Sequence, residues 1–374
     1  MSLTDTDSYT LISTLSIPPQ MAEAAVCCLK YRIPFALYRL PGEECVFFSN
    51  PGLSSSDREP RSFRISMWNE AYADSVIIRD ELDACRTLEY IASAGCEPRD
   101  NADIFPWPIS TSQLQYEGQL RQVISHLKKR GGKTVISRVV TEKSSRNPSQ
   151  WAEIADRIFH DNPAAMCSLY YTGETGAWLC ASPELLLDIN RKYHTLHTVA
   201  LAGTRRPLND VQASWSEKDL QEHNIVKEYI RSRLSALGAT LKISGTETCK
   251  AGAVEHLRTQ FEGEIPPEIT PEDILDTVSP TPALCGYPTD LALKEIENTE
   301  VHPRYCYGGY VSVESRERTQ AFVNIRCVHF NDERMTLYVG SGIMPDSTPG
   351  GEWDETDAKL NTIGRHLAPA QRQV

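Results

Sequence analysis

Strand-like segments follow one another closely along this chain, and their order limits the folds that it can adopt. Alternating or β-branched runs follow one another directly at 166–172 and 177–180, and again at 319–330 and 335–339. Only a short polar turn at 331–333 separates the last two runs. Strands joined by so few residues pair antiparallel, because parallel neighbours need a crossover of a dozen residues or more. The chain therefore predicts an α+β fold with mainly antiparallel sheets, without the regular βαβ alternation of a doubly wound sheet.

Helices are predicted between these groups of strands. A proline pair starts a helix that continues to about Lys30, and apolar residues on one face predict another over 114–127, before two consecutive glycines. Further helices are predicted over 149–159 and 217–237 and from about residue 351. Additional strands are predicted over 35–40, 46–48 and 133–140.

The charge balance excludes several classes of protein. The 374 residues include 50 acidic and 38 basic ones, and the net charge of −12 repels a phosphate backbone or an anionic membrane. Apolar runs are far shorter than the roughly 18 residues of a membrane span, and the N-terminus lacks signal-peptide features. The 11 cysteines are scattered and include no Cys-x-x-Cys pair, which is typical of reduced thiols. We expect a cytoplasmic protein that binds neither nucleic acid nor a membrane.

Two acidic helix turns are the most informative feature for chemistry. Asp219 and Glu222 lie three residues apart on one predicted helix, and Glu352 and Glu355 do so on another, so each pair projects from one helix face. Brought together, the two pairs would form an oxygen-only site suited to Mg²⁺. Each pair alone is more typical of an acidic first turn that faces the helix dipole. Lys359, one turn beyond Glu355, fits a salt bridge or a contact with a substrate carboxylate.

Several strand ends and turns could approach a ligand closely. Glycine turns at 201–205 and 340–343 permit close contact between backbone and ligand. Arg326 lies in an alternating segment, where it either faces solvent or clamps a carboxylate. The segment 182–185 predicts a strand followed by a helical turn, and 279–282 predicts an extended connector. Esterase, zinc-protease and P-loop motifs are absent from the sequence.

These segments, in this order, resemble the chorismate-utilising enzymes, a family that includes isochorismate, salicylate, anthranilate and aminodeoxychorismate synthases. The resemblance covers about residues 130 to 360, and the N-terminal third adds no motif. The matching segments are Lys133-Thr-Val-Ile-Ser-Arg138, Ser182-Pro-Glu-Leu-Leu-Leu187, Leu201-Ala-Gly-Thr-Arg-Arg206, Lys218-Asp-Leu-Gln-Glu-His223, His256-Leu-Arg-Thr259, Pro280-Thr-Pro-Ala-Leu-Cys-Gly286, Tyr307-Gly-Gly309, Ile325-Arg326 and Gly340-Ser-Gly-Ile343 through Glu352-Trp-Asp-Glu-Thr-Asp-Ala-Lys359.

The resemblance implies a fold and a site. It implies one large domain over 1–374, with layered antiparallel sheets inside and helices outside, of which 1–110 is the variable part and 111–374 the motif-bearing catalytic part. A central cleft would bind the dicarboxylate chorismate and Mg²⁺, with Glu222 and Glu355 holding the metal and Asp219 and Glu352 beside them. The residues implied to contact the substrate are Ala202, Gly203, Thr204, His256, Ala283, Tyr307, Arg326, Gly340, Gly342 and Lys359, with Tyr307 and Arg326 at the enolpyruvyl carboxylate.

The residue at position 133 implies which nucleophile is used. Ammonia-using relatives typically carry glutamine there, whereas water must lose a proton to become nucleophilic. A lysine can remove that proton when burial or a nearby cation favours its neutral form, and Lys133 would be placed to do so. Glu184 would be the general acid that protonates the departing C4 hydroxyl, a role that needs a raised pKa. The implied reaction is the Mg-dependent isomerisation of chorismate to isochorismate, by water addition at C2 and loss of the C4 hydroxyl.

Two residues bear on the alternatives within the family. Aminodeoxychorismate synthases carry a lysine nucleophile where this chain has Ala202, and pyruvate loss by salicylate synthases accompanies a hydroxyl-bearing residue where it has Ala283. Salicylate synthase is the first alternative and an ammonia-using anthranilate or aminodeoxychorismate synthase the second; no glutaminase subunit is expected. The product would feed menaquinone or siderophore synthesis. Ser279, where many relatives have histidine, and Ala200-Leu201, where Pro-Ile is usual, depart from the family pattern beside the site.

Overall fold

Two antiparallel β-sheets form the inner layers of the protein. The computed structural model describes residues 16–52, 61–97, 105–207, 214–251 and 254–367. The strands are β1 (Phe35–Arg39), β2 (Cys45–Ser49), β3 (Ser62–Ser66), β4 (Val76–Arg79), β5 (Lys133–Lys143), β6 (Met166–Thr172), β7 (Gly176–Ser182), β8 (Leu185–Asn190), β9 (Thr195–Arg205), β10 (Thr240–Ile243), β11 (Glu247–Ala251), β12 (Val254–Glu264), β13 (Gly286–Tyr287), β14 (Tyr310–Glu314), β15 (Arg318–Val323), β16 (Cys327–Phe330) and β17 (Arg334–Ile343).

Each sheet combines strands from distant parts of the chain. The first sheet has the order β13-β5-β17-β16-β7-β6-β1-β2, and the second has the order β10-β12-β9-β8-β15-β14-β3-β4, with β11 also paired to β12. Neighbouring strands pair antiparallel, as in the long ladder that joins β17 to β5 with Gly340 opposite Ser137. The predicted α+β class with antiparallel sheets is confirmed.

The two sheets pack face to face through an aromatic core. Phe63, on β3 of the second sheet, lies between Tyr38 and Tyr170 of the first, with ring centroids 5.7 and 5.4 Å away. All three side chains are buried. Such ring pairs add about 0.5–1.5 kcal/mol each beyond the burial of their area, so they stabilise the stacking of the sheets.

Helices cover the outer faces of the sheets. Trp151 and Ile158 of one helix pack on the first sheet, and Val226 and Ile230 of another pack on the second. Among the described residues, no helix is long and apolar enough to cross a membrane. The helices are α1 (Pro19–Tyr31), α2 (Ala84–Ser93), α3 (Gln113–Arg130), α4 (Pro148–Asp161), α5 (Glu217–Ala236), α6 (Pro271–Val278), α7 (Thr289–Thr299) and α8 (Pro349–Leu367).

The chain passes from the first sheet to the second at Pro183-Glu184, where the sequence predicted a helical turn. That prediction is wrong, because β7 ends at Ser182 in one sheet and β8 begins at Leu185 in the other. Proline has no N–H to donate, so Pro183 cannot continue the ladder. Ser182-Pro183 resembles a helix start in sequence, but the following residues pair with the second sheet.

A second crossing lies beside the first, within the segment predicted as one alternating strand over 319–330. Instead, β15 ends at Val323 in the second sheet and β16 begins at Cys327 in the first. Arg326, in the crossing, has φ of 51°, so it does not lie in a strand as predicted. The two crossings hold each other, because Val323 N donates to Glu184 O (3.1 Å) and Ala181 N donates to Arg326 O (3.0 Å).

Candidate active site

A cleft opens where the two crossings meet the ends of the central strands. It contains about 600 Å³ of empty space, counting its open side. Its walls come from both sheets and from α5, α8 and the loop before β13. The sequence-predicted residues that line it are Lys133, Glu184, Ala202, Thr204, Glu222, His256, Ala283, Tyr307, Arg326, Gly340, Gly342 and Lys359. The other four, Gly203, Asp219, Glu352 and Glu355, lie outside this lining.

Lys133 and Glu222 form a buried ion pair in this cleft. Lys133 is the first residue of β5, Glu222 is in the second turn of α5, and Nζ lies 2.9 Å from Oε1. Both side chains are at least nine-tenths buried. Burial acts to raise the pKa of Glu222, but the ammonium groups of Lys133, Lys218 and Lys359 outweigh it and lower that pKa. Glu222 is therefore an ionised carboxylate in this arrangement, with the Lys133 side chain as its nearest cationic partner.

Glu184 is a buried carboxyl on the same cleft. It lies in the first crossing, between β7 and β8, and its backbone N donates to Ser182 Oγ (3.3 Å). Burial raises the pKa of Glu184 to about 7, against the opposing effect of the nearby cations Lys133, Lys359 and Arg326. A carboxyl with such a pKa is partly protonated near neutral pH and can donate a proton.

Arg326 is a buried cation whose hydrogen-bond partners are neutral. Nη1 donates to Thr362 Oγ1 (2.9 Å) and to Lys359 O (3.3 Å), and Nη2 lies 3.2 Å from His256 Nε2. Burial lowers the pKa of Arg326 to about 10, so it remains charged at neutral pH. Glu355 and Glu184 offset this charge through space, but burial outweighs them, so a buried guanidinium with neutral hydrogen-bond partners favours an anion beside it.

His256 orients this guanidinium as a neutral imidazole. Burial, together with the charges of Arg326 and Lys359, lowers the pKa of His256 well below its ordinary value. Its Nδ1 lies 3.0 Å from Gly203 O, so Nδ1–H donates there and Nε2 accepts from Arg326. Gly203, with φ of +73°, packs against the backbone of Asp219, where a side chain would be too close.

The two glycines of β17 leave room for the polar groups of the cleft. A Cβ at Gly342 would lie 2.1 Å from Glu222 Oε1 and 2.6 Å from Lys133 Cε. A Cβ at Gly340 would lie 2.8 Å from the Tyr307 hydroxyl oxygen. Both positions therefore exclude a side chain, which explains why a strand otherwise rich in large residues has glycine on either side of Ser341.

The carboxylates of α5 and α8 are held by lysines. Glu352 Oε1 lies 2.5 Å from Lys218 Nζ, and Glu355 Oε1 lies 2.7 Å from Lys359 Nζ. Of the two roles considered for Lys359, the salt bridge with Glu355 is present, and Lys359 also donates to Gly340 O (3.1 Å); a contact with a substrate carboxylate stays a prediction. Asp219 accepts a hydrogen bond from the Ser216 hydroxyl at the start of α5. Within the described part of the chain, no three His, Cys, Asp or Glu side chains are grouped closely enough to hold a metal ion.

One buried carboxylate oxygen lacks a partner. Glu352 is 1% exposed, and its Oε2 has no hydrogen-bond partner within the described structure. Burial and the neighbouring charge of Glu355 raise the pKa of Glu352. The carboxylates of Glu222 and Glu355 both add to the negative potential at Lys218. An oxygen-only set with an unsatisfied oxygen fits a hard cation, once the lysines turn away from the carboxylates.

Sequence reasoning missed the role of Lys218. Burial opposes its ionisation, but the carboxylates of Glu352, Glu222 and Glu355 outweigh burial and raise its pKa. A lysine in the first turn of a helix opposes the helix dipole, so its place at the start of α5 was an available signal.

Comparisons with known proteins identify the family of the chain. A family model described as chorismate binding enzyme matches residues 68–368. Isochorismate synthase EntC of Escherichia coli (strain K12) is 32% identical over 223 residues, which are 56% of this chain and 56% of that protein. Isochorismate synthase DhbC of Bacillus subtilis (strain 168) is 30% identical over 253 residues, which are 62% of this chain and 63% of that protein. The matched region thus spans little more than half the length of these curated relatives.

A solved structure shares the fold over nearly the whole chain. MenF, the menaquinone-specific isochorismate synthase from Escherichia coli, superposes with a TM-score of 0.73 at 19% sequence identity. The superposition covers 94% of this chain and 91% of that one. The similarity includes the N-terminal part, which carries no sequence motif but supplies β1 to β4 of the two sheets.

Proposed function

The chain belongs to the chorismate binding enzyme family, and we propose on that premise that it converts chorismate into isochorismate. The observation that carries the proposal is that Lys133 and Glu184 line one cleft, both buried. One is an amine that can take a proton, and the other is a carboxyl whose pKa, about 7, suits a proton donor. The similarity to isochorismate synthases in two bacteria supports the same reaction.

The two side chains account for the proton transfers of this reaction. A water molecule bonds to C2 of the ring while the C4 hydroxyl departs. Lys133 Nζ accepts the proton that the water loses, and the Glu184 carboxyl donates a proton to the departing hydroxyl, which leaves as water. One water is consumed and one released, so no oxidant or reductant is needed. A base must be a neutral amine, so in that role Lys133 no longer balances the Glu222 carboxylate 2.9 Å away, and another cation has to do so.

Arg326 and Tyr307 are proposed to hold the enolpyruvyl carboxylate. The Arg326 guanidinium is buried and charged, and within the described residues its hydrogen bonds go to the neutral groups given above. Burial raises the pKa of Tyr307, so its hydroxyl stays protonated and can donate to an anion. Its ring stacks on Tyr338 with centroids 5.7 Å apart, which restrains its orientation.

The cleft also bears on the alternatives. Ala202 has only a methyl group, whereas the aminodeoxychorismate route needs an amine nucleophile at this position. Ala283 offers no hydroxyl, and the Thr281 hydroxyl is engaged by the backbone N of Ala283 (3.3 Å). These features favour isochorismate over salicylate as the product, and water over ammonia as the nucleophile. We propose accordingly that the chain acts without a glutaminase subunit, for menaquinone or siderophore synthesis.

The product formed from chorismate tests the proposal. Purified protein incubated with chorismate and Mg²⁺, without ammonia, is expected to form isochorismate as the main product, resolved by chromatography. Salicylate and pyruvate as the dominant products would establish the salicylate synthase alternative. Turnover that appears only with ammonium salts would contradict both water-using reactions.

We propose Mg²⁺ as the cofactor, held by Glu222 and Glu355, with Asp219 and Glu352 beside them. The oxygen donors and the unsatisfied Oε2 of Glu352 fit this ion. When bound, it would supply positive charge for the ring carboxylate of the substrate. Lys133, Lys218 and Lys359 balance the same carboxylates in the present arrangement.

Replacing either proposed ligand is expected to weaken Mg²⁺ binding. Loss of a group that only supports a metal ligand typically lowers metal affinity ~10- to 100-fold. Glu222→Gln and Glu355→Gln remove proposed direct ligands, so each should lower the Mg²⁺ affinity, measured by titration calorimetry, by at least that factor. Activity should fall in parallel and recover partly at high Mg²⁺. The control is Asp354→Asn, which removes one negative charge from an exposed position on α8 and should bind Mg²⁺ as the wild type does. Full activity of the wild type in EDTA would contradict the metal assignment.

A further inference from the structure

The strand that carries Lys133 has a neighbouring strand on one side for only part of its length. On that side β13 pairs with β5 at Lys133 and Thr134, and then Val135 N donates to Cys285 O (2.8 Å). Beyond this point, no other strand pairs with this edge of β5 among the residues that the structure describes. The backbone groups that follow along the edge are buried, so they need other hydrogen-bond partners.

Side chains from the segment that follows α7 supply those partners. Glu300 Oε1 accepts a hydrogen bond from Ser137 N (2.6 Å), and Arg304 Nη2 donates to Val135 O (2.9 Å). Backbone groups of alternate residues face the same edge of a strand, so these side chains occupy the positions that a partner strand would fill. His302 Nε2 lies 3.0 Å from the Ser137 hydroxyl oxygen. The carboxylate and the guanidinium thus continue the ladder of β5.

Arg304 also bonds to a second part of the cleft wall. Its Nη1 donates to Leu284 O (2.8 Å), in the loop before β13. Its Nε and Nη2 contact the two carboxylate oxygens of Glu300, at 2.9 and 2.6 Å. A planar guanidinium with five N–H donors is suited to bond a carboxylate and two carbonyls at once. Because Val135 and Leu284 both line the cleft, this one side chain ties two parts of its wall together.

The guanidinium itself is held firmly and lies outside the cleft lining. The side chains of Arg304 and Glu300 are both nearly fully buried. Arg304 Cζ lies 4.1 Å from the centre of the Trp68 ring, so the guanidinium also packs on an aromatic face. Burial acts to raise the pKa of Glu300, but the charge of Arg304 outweighs it and lowers that pKa. The pair is therefore an ion pair that contacts the cleft wall from behind, through backbone carbonyls.

We propose that Arg304 is a positioning residue for the conversion of chorismate, and that it fixes the start of β5, and with it Lys133, against the loop that carries Ala283. The inference rests on the proposed function, because the group that is positioned is the proposed base. Lys133 and Val135 are alternate residues of one strand and both line the cleft, so displacement of the Val135 carbonyl moves the amine. Misplacement of a reacting group by about 1 Å can lower a rate by about 10²-fold.

Arg304→Lys tests this role, because lysine keeps a cation beside Glu300 but lacks the planar group that reaches both carbonyls. We expect kcat to fall by roughly 10- to 100-fold, with KM for chorismate changed by less than about threefold. The turn in which Tyr307 N donates to Arg304 O (2.9 Å) uses only backbone atoms, so the variant retains it and the proposed carboxylate clamp. Steady-state kinetics with product analysis by chromatography measure both constants.

Arg64→Lys is the matched control. Arg64 is also a buried arginine that pairs with a carboxylate, Glu314 (2.8 Å), and lies over an aromatic ring, Tyr72 (3.8 Å), but it does not line or tie the cleft wall. It should lose stability in urea unfolding as Arg304→Lys does, yet keep the kcat of the wild type. Equal kcat values for the two variants would overturn the proposal.

A double-mutant cycle separates positioning of the base from a general loss of structure. In the Lys133→Gln background the proposed base is absent, so adding Arg304→Lys should lower the residual kcat by less than about twofold. Long incubations followed by chromatography measure these low rates. A purely structural arginine would instead lower kcat by the same factor in both backgrounds, and that result would contradict the positioning role.

A second variant decides the matter if Arg304→Lys does not fold. Glu300→Gln combined with Arg304→Gln leaves no unpaired charge at the buried site, and the shorter glutamine cannot replace the guanidinium at both carbonyls. The same loss of kcat is expected, and wild-type kcat in this folded double variant would overturn the positioning role alone. A wild-type protein that does not turn over chorismate would overturn the proposed function first, and the positioning role with it.

Discussion

Lys133→Ala is expected to lower kcat for chorismate isomerisation by roughly 10²- to 10⁴-fold while chorismate still binds. The reason is that the amine acts on the water in the transition state, whereas Arg326 and Tyr307 remain to hold the substrate. Steady-state kinetics in both directions measure this, since the roles of acid and base exchange when isochorismate returns to chorismate. The acid limb of the pH profile should also flatten, because that limb reports deprotonation of the base.

Matched variants separate this chemistry from a structural effect. Loss of the lysine leaves the buried Glu222 carboxylate without its nearest cation, which destabilises the fold. Lys133→Gln retains a hydrogen-bond donor for that carboxylate but cannot act as a base, so it should fold better and remain equally inactive. Lys143→Ala, at the exposed end of the same strand, should behave as the wild type. Near-wild-type turnover by Lys133→Ala would remove the main reason for choosing water over ammonia.

Glu184→Gln is expected to lower kcat by a similar factor, roughly 10² to 10⁴, because glutamine cannot protonate the departing hydroxyl. In the wild type the donor must be protonated, and its pKa is about 7, so kcat should fall as the pH rises above about 7. The alkaline limb should be flat in Glu184→Gln. A wild-type alkaline limb that persists unchanged in the variant would assign the proton to another group.

The same carboxyl makes a second, non-kinetic prediction. Because its pKa is raised from 4.5 to about 7 in the folded protein, the folded state binds the proton more tightly than the unfolded state. This contribution to stability is complete below about pH 4.5 and is lost as the pH rises through 7, by on the order of 3 kcal/mol. Urea unfolding should therefore show the wild type losing stability relative to Glu184→Gln over that interval. A pH-independent difference between the two would contradict the raised pKa.

Local sequence patterns were sufficient for most individual elements. The helix predicted over 217–237 is α5 (Glu217–Ala236), the one over 149–159 is α4 (Pro148–Asp161), and the strand over 133–140 begins β5 at Lys133. Helix caps, apolar spacing and β-branched runs act between residues a few positions apart, so they are visible without the fold. The short turns between strands were likewise enough to predict antiparallel pairing.

The two sheet crossings could not be predicted in the same way. Alternation continues through Asn324, Ile325 and Arg326, so the sequence period does not reveal that the chain leaves one sheet for the other. Whether a residue continues a strand depends on which neighbour offers backbone hydrogen bonds, and those neighbours are far away in sequence. Here the partners of the crossings are each other, through Val323 with Glu184 and Ala181 with Arg326.

The residue types of the candidate site could be read from local sequence: a lysine at a strand start, carboxylates spaced along two helices, glycines at a strand end and the family resemblance that joins them. Their partners follow from the packing of distant segments, which places Lys133 beside Glu222, Lys218 beside Glu352 and His256 beside Arg326. The physical reason is that charge and burial act through space. A carboxyl such as Glu184 acquires a pKa near 7 from the low-dielectric surroundings that the packed sheets provide, and no local pattern of residues encodes that environment.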